Sequence, residues 1–127
     1  MFNSIHHAAI ICSDYDKSKH FYANVLGFEV IAENYRGSRN SWKLDLKLPS
    51  GEQIELFTIP DAPVRPSYPE AQGLRHLAFS VASVEESRDY LIATGVDVED
   101  IRIDEYTGKK FTFFSDPDGL PLELYEA

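Results

Sequence analysis

Two histidines and two glutamates in this chain keep nearly the same spacing twice. Glu55, in "IELF", follows His7 by 48 residues, and Glu123, in "LELY", follows His76 by 47. Each pair takes one residue from a run that reads as a first strand and one from a run that reads as a last strand. Two carboxylates aimed into one apolar cleft repel each other and lose hydration, which raises at least one pKa. A divalent cation removes that conflict, because two carboxylates offset its charge and two neutral imidazoles complete four protein ligands. Mixed N and O donors suit Ni, Zn, Co, Mn or Fe(II) better than Ca or a soft metal, and an octahedral ion keeps two positions for water or substrate oxygens. Any one of the four alone reads as a satisfied strand histidine or a solvated edge carboxylate. Their coincidence under one spacing is what points to a site.

That spacing belongs to an internal repeat. "HHAAIICSDYDKSKHFYANVLGF" opens the first half and "RHLAFSVASVEESRDYLIATGV" the second; aligning His7 with His76 brings Ser18 onto Ser87, Lys19 onto Arg88 and Phe21 onto Tyr90. Gly27 and Gly95 match after a one-residue slip. Each copy begins with an apolar, β-branched run and continues into a predicted helix. Ser83 with Glu86 forms a capping box, Ser13 or Asp14 caps the first helix, and Gly27 and Gly95 supply left-handed C-terminal caps. Tyr15, Ser18, Tyr22 and Val25 are expected to share one face of the first helix, and Ser87, Tyr90, Leu91 and Thr94 one face of the second.

Period-two segments follow each helix. "SWKLDLKL" places Trp42, Leu44, Leu46 and Leu48 on one face and Lys43, Asp45 and Lys47 on the other, and "PSG" turns it into "EQIELFTI". The second copy has "DIRID", a turn at "TGKK", then "FTFF", a turn at "DPDG", and "PLELYE". Each half therefore reads as βαβββ: module one is 1–59 and module two 74–127. Residues 60–73 hold four of the seven prolines and read as an extended, semi-rigid linker. His7 shares its strand face with Ile5, Ala9 and Ile11, His76 with Ala78 and Ser80, Glu55 with Phe57 and Ile59, and Glu123 with Tyr125; these faces are expected to point inward. His6 is expected on the opposite face, as a structural residue, and His20 on the exposed side of a helix. One module has too little core to stand alone, so the two must pack together, or each with a module of another chain. Either way the fold class is α+β, with tandem βαβββ modules forming a curved mixed sheet, helices outside and a cleft within.

At 127 residues the chain has room for one domain, 1–127, with ordinary apolar (43%) and charged (26%) fractions. Its net charge of −9 argues against a phosphate-neutralising grip on nucleic acid and against anionic membranes. No apolar run approaches the roughly 20 residues of a membrane span, and "MFNSIHHAAII" lacks the basic region and cleavage site of a signal peptide, so a cytoplasmic location is expected. Cys12 is the only cysteine, which excludes an intrachain disulfide or a thiolate zinc cluster and suggests a small core residue.

The motifs "HHAAIICSDYDKSKHFYANVLGFEV", "IELF", "GLRHLAFSV" and "FTFFSDPDGLPLELYE" together resemble the vicinal oxygen chelate superfamily, the glyoxalase, bleomycin-resistance and extradiol dioxygenase group, over essentially the whole chain. In that family the ligating histidine lies seven residues before the aspartate that opens the first helix, and with Asp14 as that aspartate the resemblance selects His7 over His6. The His, Glu, His, Glu set of glyoxalase I is similar to His7, Glu55, His76 and Glu123. Extradiol dioxygenases and fosfomycin-resistance transferases have no ligand at the Glu55 position, methylmalonyl-CoA epimerase has glutamine there, and antibiotic-binding members have lost the ligands. The resemblance thus implies a lactoylglutathione lyase-type metalloenzyme with one divalent metal per site. Its substrate would be the hemithioacetal of a 2-oxoaldehyde such as methylglyoxal with glutathione or another thiol. Glu55 or Glu123 would be the base, and the reaction would pass through an enediolate. The alternatives are an Fe(II) extradiol-type dioxygenase and a non-catalytic module that binds an antibiotic or other small molecule. The residues with which glyoxalase I grips its thiol have no counterpart around "NYRGSRNSWK", which leaves Arg36, Arg39, Asn40, Arg75, Lys109 and Lys110 as candidates for an anionic substrate. The resemblance also implies a homodimer, with the cleft closed within one chain or across the dimer.

Overall fold

The structure, a computed structural model, describes residues 1–127. The chain forms two compact units, Met1–Val64 and Arg65–Ala127. In the first, β1 (His7–Cys12) leads into α1 (Tyr15–Lys19) and a π-helical segment (His20–Val25), followed by β2 (Glu29–Arg36), β3 (Ser41–Lys47) and β4 (Gln53–Thr58). The second has β5 (Leu77–Val81), α2 (Val84–Ala93), β6 (Arg102–Ile103), β7 (Lys110–Ser115) and β8 (Pro121–Glu126). The sheets are ordered β1-β4-β3-β2 and β5-β8-β7-β6. In both, the first strand runs parallel to the last and the other pairs are antiparallel. The expected βαβββ order and mixed α+β sheets are thus present twice. No helix is long and apolar enough to cross a membrane.

The helix starts follow their caps. The Asp14 carboxylate accepts from the Lys17 amide and the Ser83 hydroxyl from the Glu86 amide, so the aspartate, not Ser13, closes the first helix. The single first helix expected from the sequence gives way after Lys19 to the wider π turn, marked by a Leu26 N–H donating to Phe21 O at 2.9 Å. The wider turn lets the consecutive residues Phe21 and Tyr22 both be buried, their rings edge to face at 5.0 Å. In α2 the buried residues are Val84 and Leu91, whereas Tyr90 is half exposed and Thr94 turns its hydroxyl back to Leu91 O. The expected face there is therefore rotated. "DIRID" contributes a ladder of only two residues, because Glu99 takes the space: its N–H donates to Phe113 O, its carboxylate accepts from the Phe113 N–H and its carbonyl accepts from Thr112 Oγ1.

The same turn is built at equivalent places in both units. In "LPSG" the Gly51 N–H donates to Leu48 O, and in "DPDG" the Gly119 N–H donates to Asp116 O, both at 3.0 Å. The two glycines stand at φ 109 and 83, where an L side chain is strained. Proline presets the turn and glycine closes it, which starts β4 and β8 in register. Residues 60–73 divide at the unit boundary. Arg65 donates to Leu74 O and Arg75 O, and Ser67 Oγ to Gly119 O, so the second half of the predicted linker is anchored to the second unit.

Within each unit the core lies on the helix-covered face of the sheet: Leu44, Leu46, Ile54 and Leu56 in the first, Phe114, Leu122 and Leu124 in the second. Cys12 is buried among the core residues, as expected. The faces bearing the histidines and glutamates are the other ones. Ile11 on that side is 51% exposed, so within a unit these faces are not packed as a core. The helices have taken the apolar face, and the donor face stays open.

Candidate metal centre

Strand register places each histidine beside its glutamate. In the first unit Ala9 is paired across the parallel ladder with Glu55, and in the second Ala78 with Glu123. Each alanine is two residues after the histidine and so shares its face, and its small side chain leaves room for the longer ones to meet. His7 Nε2 lies 3.5 Å from Glu55 Oε2, and His76 Nε2 lies 4.0 Å from Glu123 Oε1. The glutamate side chains retain only 14% and 12% of their exposure. Neither carboxylate accepts a hydrogen bond within 3.5 Å. Glu55 has Lys43 Nζ at 4.0 Å; burial pushes the Glu123 carboxyl up, with His76, Arg102 and Arg75 pulling against it.

Two largely desolvated carboxylates with no hydrogen bonds, each next to an imidazole nitrogen, fit a divalent cation. The donor chemistry is nitrogen plus oxygen, as expected for a first-row ion. Each unit by itself offers one such pair, and neither gathers three donors. The Nδ1 atoms face their preceding residues, His7 toward His6 Nδ1 at 2.9 Å and His76 toward Arg75 Nη1 at 3.1 Å. A guanidinium can only donate, so the His76 proton sits on Nε2 in this arrangement. Ligation through Nε2 requires Arg75 to release Nδ1, which is a small movement for an exposed side chain already paired with Glu70.

The other candidates separate clearly. His6 is exposed and stacks edge-on against the His7 ring at 5.1 Å, so its side chain does not turn to the opposite face. His20 is exposed and bonds Asn24. Arg75 is paired with Glu70 and Lys110 with Glu85. Asn40 accepts from the Tyr35 hydroxyl, Arg39 is exposed, and Lys109 sits on the turn before β7. Arg36 alone lies over the donor face, its guanidinium 4.9 Å from the Phe57 ring centroid. Three neighbours complete the surroundings, of which the sequence places only Tyr125 beside its glutamate. Lys43 approaches Glu55, Phe113 meets the His76 ring edge-on at 4.9 Å, and Tyr125 donates to Asp104 at 2.8 Å. Their place depends on register, which periodicity alone does not fix.

The chain matches known proteins along nearly its whole length. The Glyoxalase/Bleomycin resistance protein/Dioxygenase superfamily model matches residues 4–124. The chain is 59% identical to the protein YwkD of Bacillus subtilis (strain 168), across 99% of this chain and 98% of that one. It is 30% identical to a 2-epi-5-epi-valiolone epimerase of Actinomyces sp, across 95% of this chain and 78% of the epimerase. A solved glyoxalase family protein from Enterococcus faecalis superposes with a TM-score of 0.92 at 55% identity, with 98% of each chain covered. Members of this group generally bind a divalent metal. The chain belongs to the Glyoxalase/Bleomycin resistance protein/Dioxygenase superfamily.

Proposed function

We propose that this protein is a metal-dependent lyase or isomerase of the glyoxalase I type, with His7, Glu55, His76 and Glu123 as the four ligands of one divalent ion. One His–Glu pair from each kind of unit completes the site, within a chain or across a homodimer. The observation that carries the reading is the pair repeated in the same register, Ala9 opposite Glu55 and Ala78 opposite Glu123. It supplies two carboxylates where a dioxygenase-like set needs one.

A bound divalent ion supplies Lewis-acid polarisation to two adjacent substrate oxygens. The residues of this chain do the rest. One glutamate takes the proton from the carbon bearing the hydroxyl and sulfur of a hemithioacetal and returns it to the neighbouring carbon, so the aldehyde-level carbon becomes a thioester and the ketone an alcohol. The histidines hold the site in shape without adding charge. The 2-epi-5-epi-valiolone epimerase among the relatives supports chemistry that makes and breaks a C–H bond, and says nothing of the substrate.

The test is solvent exchange. The metal-reconstituted protein, given methylglyoxal and glutathione in D₂O, should form S-lactoylglutathione, with deuterium at the new carbinol carbon in the fraction of turnovers in which the protonated glutamate exchanges with solvent before it gives the proton back. Absence of any product with every first-row ion tried would overturn the thiol-adduct reading. Oxygen consumption with catechols under Fe(II) would replace it with a dioxygenase.

A further inference from the structure

Arg36 is the residue on the donor face that the proposed chemistry does not use. It closes β2 at Ser41 of β3, and that register puts it on the same side of the sheet as Lys43, Asp45, Glu55 and Phe57. Its guanidinium lies 4.9 Å from the Phe57 ring centroid, one side chain along β4 from Glu55. Nη2 donates to Ser41 Oγ at 2.8 Å, and Nε is buried without a partner. No carboxylate lies within ion-pair distance of it. Acids are not scarce, since the chain carries 21 Asp and Glu against 12 Lys and Arg. Of the carboxylates of this face that are not candidate ligands, Asp45 is held by Lys43 Nζ at 2.8 Å, and Glu29 lies at the far end of β2 from Arg36, paired across the ladder with Lys47. Once Glu55 is committed to a cation, Lys43 is matched by Asp45 and Arg36 is left unmatched.

A partly desolvated guanidinium without a counter-ion is costly unless a ligand supplies the charge. The Phe57 face holds the guanidinium plane, and Nη1 with the second N–H of Nη2 remains as a fork that suits an oxyanion. We propose that Arg36 is a specificity-determining residue that binds an anionic oxyacid group, a carboxylate or a phosphate-type group, of the substrate. The inference rests on the metal-site reading above. It deepens the substrate class to a thiol adduct whose thiol or oxoaldehyde part carries an oxyanion near the reacting oxygens, since Arg36 sits over Phe57, two residues and about 6.6 Å along the strand from Glu55.

Three small chelators test it on cobalt-loaded protein, each titrated while the visible absorption of the cobalt is followed. Acetohydroxamate carries no second anion, malonic acid monohydroxamate adds a carboxylate, and phosphonoacetohydroxamate adds a phosphonate. At least one anionic probe should bind about 10- to 100-fold more tightly than acetohydroxamate, and the better of the two identifies the oxyanion. Arg36→Gln should bring that probe down to the level of acetohydroxamate and leave acetohydroxamate unchanged, while Arg39→Gln changes neither. Equal affinity of the wild-type protein for all three probes would overturn the inference alone, even if Arg36→Gln failed to fold. An equal loss for every probe in folded Arg36→Gln would also overturn it. A cobalt spectrum that no probe perturbs would overturn the metal site, and the inference with it.

Discussion

Glu55 and Glu123 occupy equivalent places in unequal company. Glu55 has Lys43 at 4.0 Å and Asp45 paired across the ladder, whereas Glu123 is paired with Phe113. Changing either to glutamine keeps a coordinating oxygen and removes a base. Turnover should therefore fall by about 10²- to 10⁴-fold for the glutamate that moves the proton, with metal content retained and a smaller loss at the other position. Metal analysis and steady-state rates of both variants decide it, and full activity in both would remove glutamate as the base. A second residue-level prediction lies on the helix side, where Lys19 Nζ at 2.7 Å and the Tyr15 hydroxyl both donate to Glu33. The Lys19 bond, then that of Tyr15, holds the Glu33 carboxyl below its ordinary range. A group lowered by folding stabilises above its unfolded pKa, about 4.3, and loses that contribution as pH falls through the folded value. Glu33→Gln should therefore destabilise at pH 7 by under about 1 kcal/mol, as an exposed pair does, and the difference from wild type should close in acid. Denaturant melts at pH 7 and pH 3 measure both. The two His–Glu pairs were legible in the sequence because a repeat exposes matched positions; Arg36 was only one of five cations among the six candidates there, since counter-ions such as Glu70 and Glu85 become visible only in three dimensions.

At the scale of elements, the proline-glycine turns connect backbone conformation to the site. Gly119 at φ 83 closes the turn that starts β8, and Glu123 is four residues further on. Alanine there is strained by roughly 1–2 kcal/mol, and relief of that strain would shift the strand that presents Glu123. Gly119→Ala should lower the unfolding midpoint in urea and weaken metal binding together, while Ser83→Ala, which removes the α2 cap, should cost about 1 kcal/mol and leave metal affinity unchanged. If Gly119→Ala alters neither, the turn does not set the register. Strands with clean alternation, such as Ser41–Lys47, could be read from the sequence residue by residue. The elements that misled are those where competing contacts decide. The π turn follows from burying two consecutive aromatics, the rotation of α2 from Val84 and Leu91 sharing its core side, and the shortness of β6 from Glu99 occupying β7's partner groups. None of these has a periodic signature.

On the scale of the whole molecule, each unit carries one His–Glu pair, half of the proposed ligand set. Two halves must be joined, and closed two-fold pairing is the commonest way in which small chains do so. The protein should therefore run as a homodimer at micromolar concentration in sedimentation velocity, and a monomer would count against that pairing. The tandem organisation was readable because both copies keep their capping residues, turns and donors. How the open faces are covered was not, because an alternating strand looks the same whether its second face meets solvent, substrate or another module. The central claim is that His7, Glu55, His76 and Glu123 together hold one ion, and metal stoichiometry tests it most directly. Protein reconstituted in turn with Ni, Co, Zn, Mn and Fe(II), then dialysed, should retain about one ion per chain with at least one of them. Each single alanine variant at the four positions should lose at least about tenfold in affinity for that ion, whereas His6→Ala should not. Wild-type protein that retains none of the five ions, or any one of the four variants that binds as tightly as wild type, would contradict it.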